Sequence, residues 1–271
     1  MFAVFGAIYG DILGSYYESF ATKDYNFPFH SRSTFTDDSL MTAAVCKAIL
    51  NNGDNINLFS LNKRAYEYAV QYKRYYSLFP HAGFGQMFSE WASSDILYRQ
   101  HSYADGAAMR VVPIGYAYSD LKQVLLQAKA SCKYTHDHND AIKGAEAVAT
   151  AVYMARHNES KSSIKSYISM KYKYNLDLSI EEIRPNYHFD CKSSYSVPPA
   201  IIAFLDSTDY ESAIRNAISL GGDADTMACI AGGIAEAYYH TIPDHITSFC
   251  NSRIDSTIRS VVNEFKNKYN V

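Results

Sequence analysis

The sequence predicts an all-α fold, built as a single compact orthogonal helical domain over residues 1–271. Apolar residues recur at helical spacing in six separate segments of the chain. Alternating strand patterns that flank Asn-Gly or Asp-Gly hairpin turns are missing. A chain of 271 residues is long for one domain and short for two, so its length also favours a single domain.

The predicted helices follow one another along the chain. The clearest of them cover residues 40–50, 121–131, 140–155, 209–220, 226–239 and 254–269. Short polar residues at 36–38 suit the N-terminus of the first of these helices. The polar segment 157–198 is predicted to hold one helix and a long surface loop. The whole domain is predicted to contain roughly a dozen helices.

Glycines mark two places of close approach. Gly6, Gly10 and Gly14 are spaced by four and share one face of a helix, which allows another helix to pack closely. Gly221 and Gly222 precede a predicted helix, where the missing side chains let backbone N–H groups approach a ligand. We therefore expect a tightly packed first helix and a ligand-facing turn before residue 226.

Charge and cysteine usage narrow the range of partners and compartments. Lys plus Arg number 25 and Asp plus Glu number 28, a net charge of −3, which lacks the basic excess typical of nucleic-acid binding. The five cysteines are dispersed, so neither a disulfide framework nor a thiolate zinc site is expected. Neither a membrane-spanning apolar stretch nor a basic signal-peptide region is present. These features predict a cytoplasmic protein without membrane or nucleic-acid partners, and we expect a monomer.

Two short clusters of carboxylates and hydroxyls are the strongest functional signal. The first is the run 35–39 (Phe-Thr-Asp-Asp-Ser), and the second is the run 221–226 (Gly-Gly-Asp-Ala-Asp-Thr). Hard divalent cations prefer oxygen ligands of this kind. If the fold brings the clusters together, four carboxylates and two hydroxyls suit a two-metal site with the metals about 3.5–4 Å apart. Without cations, four carboxylates in one pocket would repel one another.

Other interpretations apply to these clusters. Either cluster alone is explained as a helix N-cap, because Asp and Thr are favoured there and complement the helix dipole. An EF-hand is excluded for the second cluster because Met227 and Ala228 occupy positions where an oxygen ligand and a glycine belong. A two-metal phosphoesterase would use similar carboxylates and is an alternative enzyme class.

Six segments, in order along nearly the whole chain, resemble the ADP-ribosylglycohydrolase family, and its compact bacterial branch most. They are the opening helix 6–18, the metal motifs 35–42 and 221–228, the loop 102–110, the His-containing helix start 135–138 with 144–145, and the stretch 183–205. The resemblance implies an all-α fold with two Mg²⁺ or Mn²⁺ ions in a central cleft. It also implies a hydrolase that cleaves the N- or O-glycosidic bond between ADP-ribose and a modified protein side chain or small molecule.

The resemblance further implies roles for individual residues. It makes the metal ligands Thr36, Asp37, Asp38, Asp223, Asp225 and Thr226. It places the catalytic carboxylates among Glu18, Asp37, Asp38 and Asp225, with Glu18 beside the metals as a gate or a catalytic aid. The loop 102–106 is expected to hold the diphosphate through backbone N–H groups. The substrate contacts are therefore expected at Ser102, Tyr103, Ala104, Asp105, Gly106 and His136.

Two stretches depart from the family pattern. Ala104 and Asp105 stand where the family usually has Gly and Asn, and a negative charge beside a diphosphate weakens binding by roughly 1 kcal/mol or more. The segment 193–195 (Ser-Ser-Tyr) replaces the usual Cys-Gln-Gly. A module that binds ADP-ribose without turnover is therefore an alternative function. Arg110 after this loop can pair with a phosphate, although a structural salt bridge is the preferred interpretation.

Overall fold

Helices form the regular structure of residues 4–270, the part of the chain that the computed structural model describes. In this range there is no β-strand, and two isolated bridges join His101 to His136 and Ala104 to Lys192. None of these helices is long and apolar enough to cross a membrane. Two 3-10 turns cover Asp105–Ala107 and Arg184–Asn186. The α-helices are α1 (Phe5–Ser19), α2 (Asp37–Asn51), α3 (Leu61–Leu78), α4 (Gln86–Ser93), α5 (Val112–Ala117), α6 (Leu121–Cys132), α7 (Asn139–Arg156), α8 (Lys161–Tyr172), α9 (Ile180–Ile183), α10 (Ser193–Leu205), α11 (Tyr210–Ile218), α12 (Ala224–Tyr239), α13 (Asp244–Asn251) and α14 (Ser256–Tyr269).

The predicted all-α fold class is confirmed, and so are the six clearest helix predictions. These predictions correspond to α2, α6, α7, α11, α12 and α14, with each boundary within three residues of the predicted one. Local capping explains why the N-termini of these helices could be predicted from the sequence. Thr36 caps α2 by accepting a hydrogen bond from the Asp38 N–H, and Asp120 caps α6 by accepting one from the Lys122 N–H.

The prediction for residues 157–198 is wrong in its helix content. This segment contains α8, α9, a 3-10 turn and the start of α10. Proline usually marks the end of a helix in a sequence pattern, yet Pro198 and Pro199 lie within the first two turns of α10. Pro199 has no N–H to donate to the Tyr195 carbonyl, and the Tyr187 hydroxyl donates to that oxygen instead at 3.2 Å.

α12 is the central helix, and its residues 224–237 are all buried. It packs most extensively against α1, whose glycine face permits a close approach. A Cβ added at Gly10 would collide with the Ala228 carbonyl group, so only glycine fits at this crossing. The predicted close packing of the first helix is confirmed. The crossing brings Asp11 and Glu18 on α1 beside the N-terminus of α12.

Gly10→Ala tests the crossing of α1 over α12. The added methyl group would meet the Ala228 carbonyl, so the helices must separate. We expect the free energy of unfolding, measured by chemical denaturation, to fall by roughly 2–4 kcal/mol. Gly85→Ala is the matched control, because its added methyl meets nothing within 4 Å and its φ of −61° suits alanine. Equal losses at the two positions would contradict the explanation.

Candidate metal centre

A cavity of about 410 Å³ lies where α1, α2 and α12 meet. Its acidic wall contains Glu18, Asp37, Asp38, Asp223, Asp225 and Thr226. Another part of its lining contains Ser102, Ala104, Asp105, Gly106 and His136. The fold therefore brings the two acidic clusters together, and it adds the loop that was expected to bind the substrate.

Two groups of three carboxylates at this cavity are close enough to hold metal ions. Asp11, Asp38 and Asp225 form one group, and Glu18, Asp223 and Asp225 form the other, with the oxygens of each group within 4.8 Å of one another. None of these carboxylates forms an ion pair with a lysine, arginine or histidine of the described residues. Their charge is left for cations to balance, and an all-oxygen set fits a hard divalent ion.

Asp38 carries an unused carboxylate oxygen. Its Oδ2 accepts hydrogen bonds from the hydroxyls of Thr36 (3.5 Å) and Thr226 (3.3 Å). Its Oδ1 is buried and has no donor within residues 4–270. A buried carboxylate oxygen without a partner costs free energy. The two threonines thus orient Asp38 and leave Oδ1 available to a cation.

Helix capping alone does not explain the second acidic cluster. Asp223 occupies the N-cap of α12, but its side chain accepts no hydrogen bond from the backbone of that helix. Asp225 accepts a hydrogen bond from the Thr226 N–H at 2.9 Å. In α2, by contrast, Thr36 caps the helix by accepting from the Asp38 N–H at 3.4 Å. The capping interpretation therefore holds for Thr36 and fails for Asp223.

Asp11 is a residue of the site that the sequence analysis did not assign. It accepts hydrogen bonds from the backbone N–H groups of Thr36 (2.9 Å) and Ser39 (3.0 Å) and from both of their hydroxyls. These four bonds hold the start of α2 against α1. The available signal was a carboxylate between Gly10 and Gly14 on a helix that is otherwise apolar at its buried face.

Burial raises the pKa of the carboxylates in and beside the acidic wall. Desolvation raises the pKa of Asp11 to about 6, although its four hydrogen bonds favour the charged form. Desolvation also raises the pKa of Asp38, Asp223 and Asp225 well above the usual value, and neighbouring carboxylates add to the effect. Glu18 is affected in the same direction by its partial desolvation, which raises its pKa. Cations would reverse these shifts, because they favour the charged forms.

Asp37 lines the cavity but belongs to neither group of three carboxylates. A Cβ added at Gly83 would lie 3.3 Å from the Asp37 Oδ1, and the φ of +96° at Gly83 also favours glycine. Burial, followed by the charges of Asp225 and Asp11, raises the pKa of Asp37 well above its usual range. The assignment of Asp37 as a metal ligand stays a prediction.

The expected substrate loop is held in place by the chain that leads into α10. The Asp105 N–H donates to the Cys191 carbonyl at 2.9 Å. The Ala104 N–H donates to the Ser102 hydroxyl at 3.2 Å. These two amides are engaged within the protein, so binding of a diphosphate through the backbone is restricted to the other amides of the loop.

Two side chains of this loop differ in their surroundings. Tyr103 is half exposed, lies outside the cavity lining and packs edge-on against His138, with the ring centroids 5.9 Å apart. Asp105 is buried in the lining, and its Oδ2 has no donor within the described range. Burial raises the pKa of Asp105 to about 7, with a further contribution from the charges of Asp225 and Asp37.

His136 is buried at the cavity, where a Cβ added at Gly106 would lie 2.9 Å from its Nε2. Burial, helped by the nearby Arg110 guanidinium, holds the pKa of His136 well below its usual range, so the ring is neutral. The expected salt bridge of Arg110 is wrong, since Arg110 pairs with no carboxylate of residues 4–270. Arg110 donates instead to the Ser131 carbonyl (3.0 Å) and the Thr135 hydroxyl (2.7 Å).

The segment between α3 and α4 and the start of α4 also line the cavity, and the sequence analysis gave them no role. Gly83, Phe84, Gly85, Gln86 and Met87 all belong to the lining. Phe189 and Cys191, in the segment before α10, also line the cavity. The closely spaced glycines were the available signal in the first segment, and a glycine pair alone does not indicate a ligand site.

Fold and site together define a class, an all-α protein with an acidic cavity suited to divalent cations. A profile of the ADP-ribosylglycohydrolase family matches residues 2–270. The chain therefore belongs to the ADP-ribosylglycohydrolase family, whose members hydrolyse glycosidic linkages of ADP-ribose.

Named relatives and a solved structure agree with this membership. ADP-ribosylhydrolase ARH3 of Homo sapiens is 28% identical over an alignment that covers 86% of this chain and 83% of that protein. ADP-ribosylhydrolase ARH3 of Xenopus tropicalis is 24% identical over an alignment that covers 88% of this chain and 86% of that protein. A structure described as an ADP-ribosylglycohydrolase-related protein complex superposes with a TM-score of 0.75 over 99% of this chain and 96% of that one. At 19% identity, this likeness shows a shared fold.

The raised pKa values predict that the metal-free protein loses stability as the pH rises from about 5 to about 8. A carboxyl whose pKa is higher in the folded than in the unfolded chain binds its proton more tightly when folded. Its stabilising contribution is complete below the unfolded value of about 4 and is lost as the pH rises through the folded value. Asp11 (about 6) and Asp105 (about 7) place this loss in the stated window.

Differential scanning fluorimetry measures this effect. With a chelator, the melting temperature should fall across the window, and Mg²⁺ or Mn²⁺ should restore it at the alkaline end, because cations replace the protons. A chelated protein whose melting temperature stays constant or rises would contradict the interpretation that buried carboxylates repel one another.

Proposed function

We propose that the protein uses two divalent cations, Mg²⁺ or Mn²⁺, to hydrolyse the N- or O-glycosidic bond between ADP-ribose and a modified protein side chain or small molecule. The observation that carries this proposal is the pair of carboxylate groups that share Asp225 at one cavity. Two neighbouring cations need such a shared carboxylate set. Family membership and the names of the relatives support ADP-ribose as the leaving part of the substrate.

Carboxylates and hydroxyls from α2 and α12 are proposed to hold the cations. Membership of both carboxylate groups supports Asp225 as a residue that would hold the cations. The unpartnered Oδ1 of Asp38 and the side chain of Asp223, which does not cap its helix, support these two as further ligands. When bound, the cations would supply Lewis acidity towards the oxygens of the ribose and of water. The full proposed set is Thr36, Asp37, Asp38, Asp223, Asp225 and Thr226.

Glu18 is the proposed acid–base group. Unlike the buried aspartates, it is exposed at the last turn of α1 while still lining the cavity. Cleavage of a glycosidic bond passes through an oxocarbenium-like state, and a carboxylate that takes the proton of the attacking water lowers the barrier. Desolvation raises the pKa of Glu18, which makes it a stronger base. Asp37, Asp38 and Asp225 would act by holding the cations, and so their positive charge, next to the sugar.

The ADP-ribose is proposed to lie along the loop 102–106 and His136. Ser102, Gly106 and His136 line the cavity beside the acidic wall. Backbone amides and a neutral imidazole donate hydrogen bonds to phosphate and hydroxyl oxygens. Tyr103 can contact the ligand only if its ring leaves His138, because it now lies outside the lining.

The proposed partner is an ADP-ribosylated protein or a small molecule that contains ADP-ribose. We expect residues 1–271 to act as a monomeric single domain in the cytoplasm, and the five unpaired cysteines support a reducing compartment. A binding module without turnover is a second candidate. The observation behind this candidate is the departure from the family pattern at Asp105, a buried residue of the ligand loop.

Release of free ADP-ribose from ADP-ribosylated serine, arginine and small-molecule substrates tests the proposed reaction. We expect release with Mg²⁺ or Mn²⁺ and none with a chelator. Asp225→Asn and Asp37→Asn should each lower the rate by roughly 100-fold or more, because each removes a charge that the cations need, while circular dichroism stays unchanged. Asp177→Asn is the matched control, since that side chain is 86% exposed and outside the lining.

Each rival predicts a different result in this assay. Near-normal turnover by Asp225→Asn would rule out the metal assignment. Release of inorganic phosphate from a nucleotide without free ADP-ribose would indicate a phosphoesterase. Binding of ADP-ribose with no release from any substrate would indicate a binding module.

Asp105→Asn tests the charge at the ligand loop. Removing a buried negative charge beside a diphosphate should strengthen ADP-ribose binding by roughly fivefold at about pH 8, where the carboxyl is ionised. Isothermal titration calorimetry with Mg²⁺ measures the affinity. Asp190→Asn is the matched control, because Asp190 lies near the loop but outside the lining and pairs with Lys192. Unchanged or weaker binding by Asp105→Asn would show that the charge does not oppose the ligand.

A further inference from the structure

Three buried side chains form a hydrogen-bonded chain that ends at the cavity. The Arg110 Nη2 donates to the Thr135 hydroxyl oxygen at 2.7 Å. The same hydroxyl oxygen lies 2.8 Å from the His136 Nδ1. Arg110 and Thr135 are fully buried, and His136 is 6% exposed. The hydrogen-bonded chain therefore connects two buried side chains, of which Arg110 also belongs to the cavity lining, to His136 at the cavity wall.

The donor and the acceptor of each hydrogen bond follow from the protons that each group carries. A guanidinium only donates, so Thr135 accepts from Arg110. The Thr135 hydroxyl has one proton, and its recorded partners within residues 4–270 are Arg110 and the His136 Nδ1. If Nδ1 carried a proton, both neighbours would donate to Thr135, and its own buried proton would have no acceptor. The Thr135 hydroxyl therefore donates to Nδ1.

The remaining imidazole nitrogen of His136, Nε2, determines how this hydrogen-bonded chain of side chains affects ligand binding. The buried ring beside the Arg110 guanidinium is neutral, since both factors hold the pKa of His136 well below its usual range. A neutral ring that accepts at Nδ1 carries its proton at Nε2. Nε2 lies next to Gly106 of the ligand loop and has no acceptor within the described residues. An uncharged donor is thus aimed at the cavity.

We propose that Arg110, acting through Thr135, fixes His136 as a neutral Nε2–H donor to an oxygen of the bound ADP-ribose. The ligand in this statement rests on the proposed function. Arg110 and Thr135 are positioning residues, because the Arg110 Nη2 is directed inward and its guanidinium stacks on Tyr72, 4.1 Å from the ring centroid. Arg110 also belongs to the cavity lining, and its Nε has no partner within residues 4–270, so direct contact of Arg110 with a phosphate is the rival explanation.

A neutral donor suits this cavity better than a charged one. A protonated His136 would attract the carboxylate of Asp105, which lies in the same lining, and would compete with the cations for the acidic wall. With Nδ1 occupied by Thr135, the ring keeps one orientation and one tautomer before the ligand arrives. Binding then requires no rearrangement of the imidazole.

The tautomer is measured directly by nuclear magnetic resonance on ¹⁵N-histidine-labelled, Mg²⁺-loaded protein. The His136 signals are assigned by their loss in His136→Gln. We expect a protonated Nε2 and an unprotonated Nδ1 at neutral pH. A protonated Nδ1, or a doubly protonated ring, would overturn the inference, and neither result depends on the ligand.

Variants at Thr135 test the effect on binding. Thr135→Val keeps the shape but removes the hydroxyl, so the tautomer is no longer fixed and ADP-ribose affinity should fall roughly tenfold by calorimetry. Thr135→Ser keeps the hydroxyl and should stay near wild type in tautomer and affinity. Wild-type affinity in Thr135→Val would overturn the role of the chain and favour direct contact by Arg110. If wild-type protein binds no ADP-ribose, the proposed function fails, whereas the resonance measurement still decides the tautomer.

Discussion

The close crossing of α1 over α12 is the constraint on which the geometry of the cavity depends. Without a Cβ at Gly10, the two helix backbones meet at the Ala228 carbonyl. Asp11, one residue further on, then reaches the start of α2 and holds it through four hydrogen bonds. The N-termini of α2 and α12 are thereby fixed at one place, and each brings its carboxylates to the same cavity. A change in the crossing would move every proposed ligand at once.

Placing carboxylates at two helix N-termini does not by itself make them stable there. A helix dipole stabilises a nearby carboxylate by about 0.3–1 kcal/mol, whereas an unpaired buried carboxylate costs several kcal/mol. Even the four hydrogen bonds of Asp11 leave its pKa raised to about 6. The free-energy cost of desolvating the acidic wall therefore exceeds the stabilisation that hydrogen bonds from the backbone and the hydroxyls provide. Divalent cations are the natural compensation, which links the folding stability of this protein to its proposed chemistry.

The sequence predicted the parts of this site that are local. Thr36, Asp38 and Asp225 stand in short motifs at helix starts, so they could be proposed as metal ligands before the fold was known. Asp11 was missed because its role depends on a contact with α2, which only the helix crossing creates. The loop from Gly83 was missed for the same reason. Its glycines indicate a site only when the fold places the loop beside Asp37. The helix content of 157–198 was underestimated because prolines near a helix start resemble a helix end.

Arg110 shows most clearly how position changes the meaning of a residue. In the sequence it follows a ligand loop and suggests a phosphate contact or an ion pair, yet in the fold its Nη2 turns inward to Ser131 and Thr135. Its positive charge nevertheless acts on the cavity, because it adds to the effect of burial, which lowers the pKa of His136 and keeps the ring neutral. One part of the cavity lining thus carries negative charge that cations would balance, and the other offers, beside Asp105, an uncharged donor that does not compete with the cations. In the proposed function, this division would allow an anionic nucleotide to approach an acidic cavity, since cations and neutral donors, rather than the carboxylates themselves, would meet its oxygens.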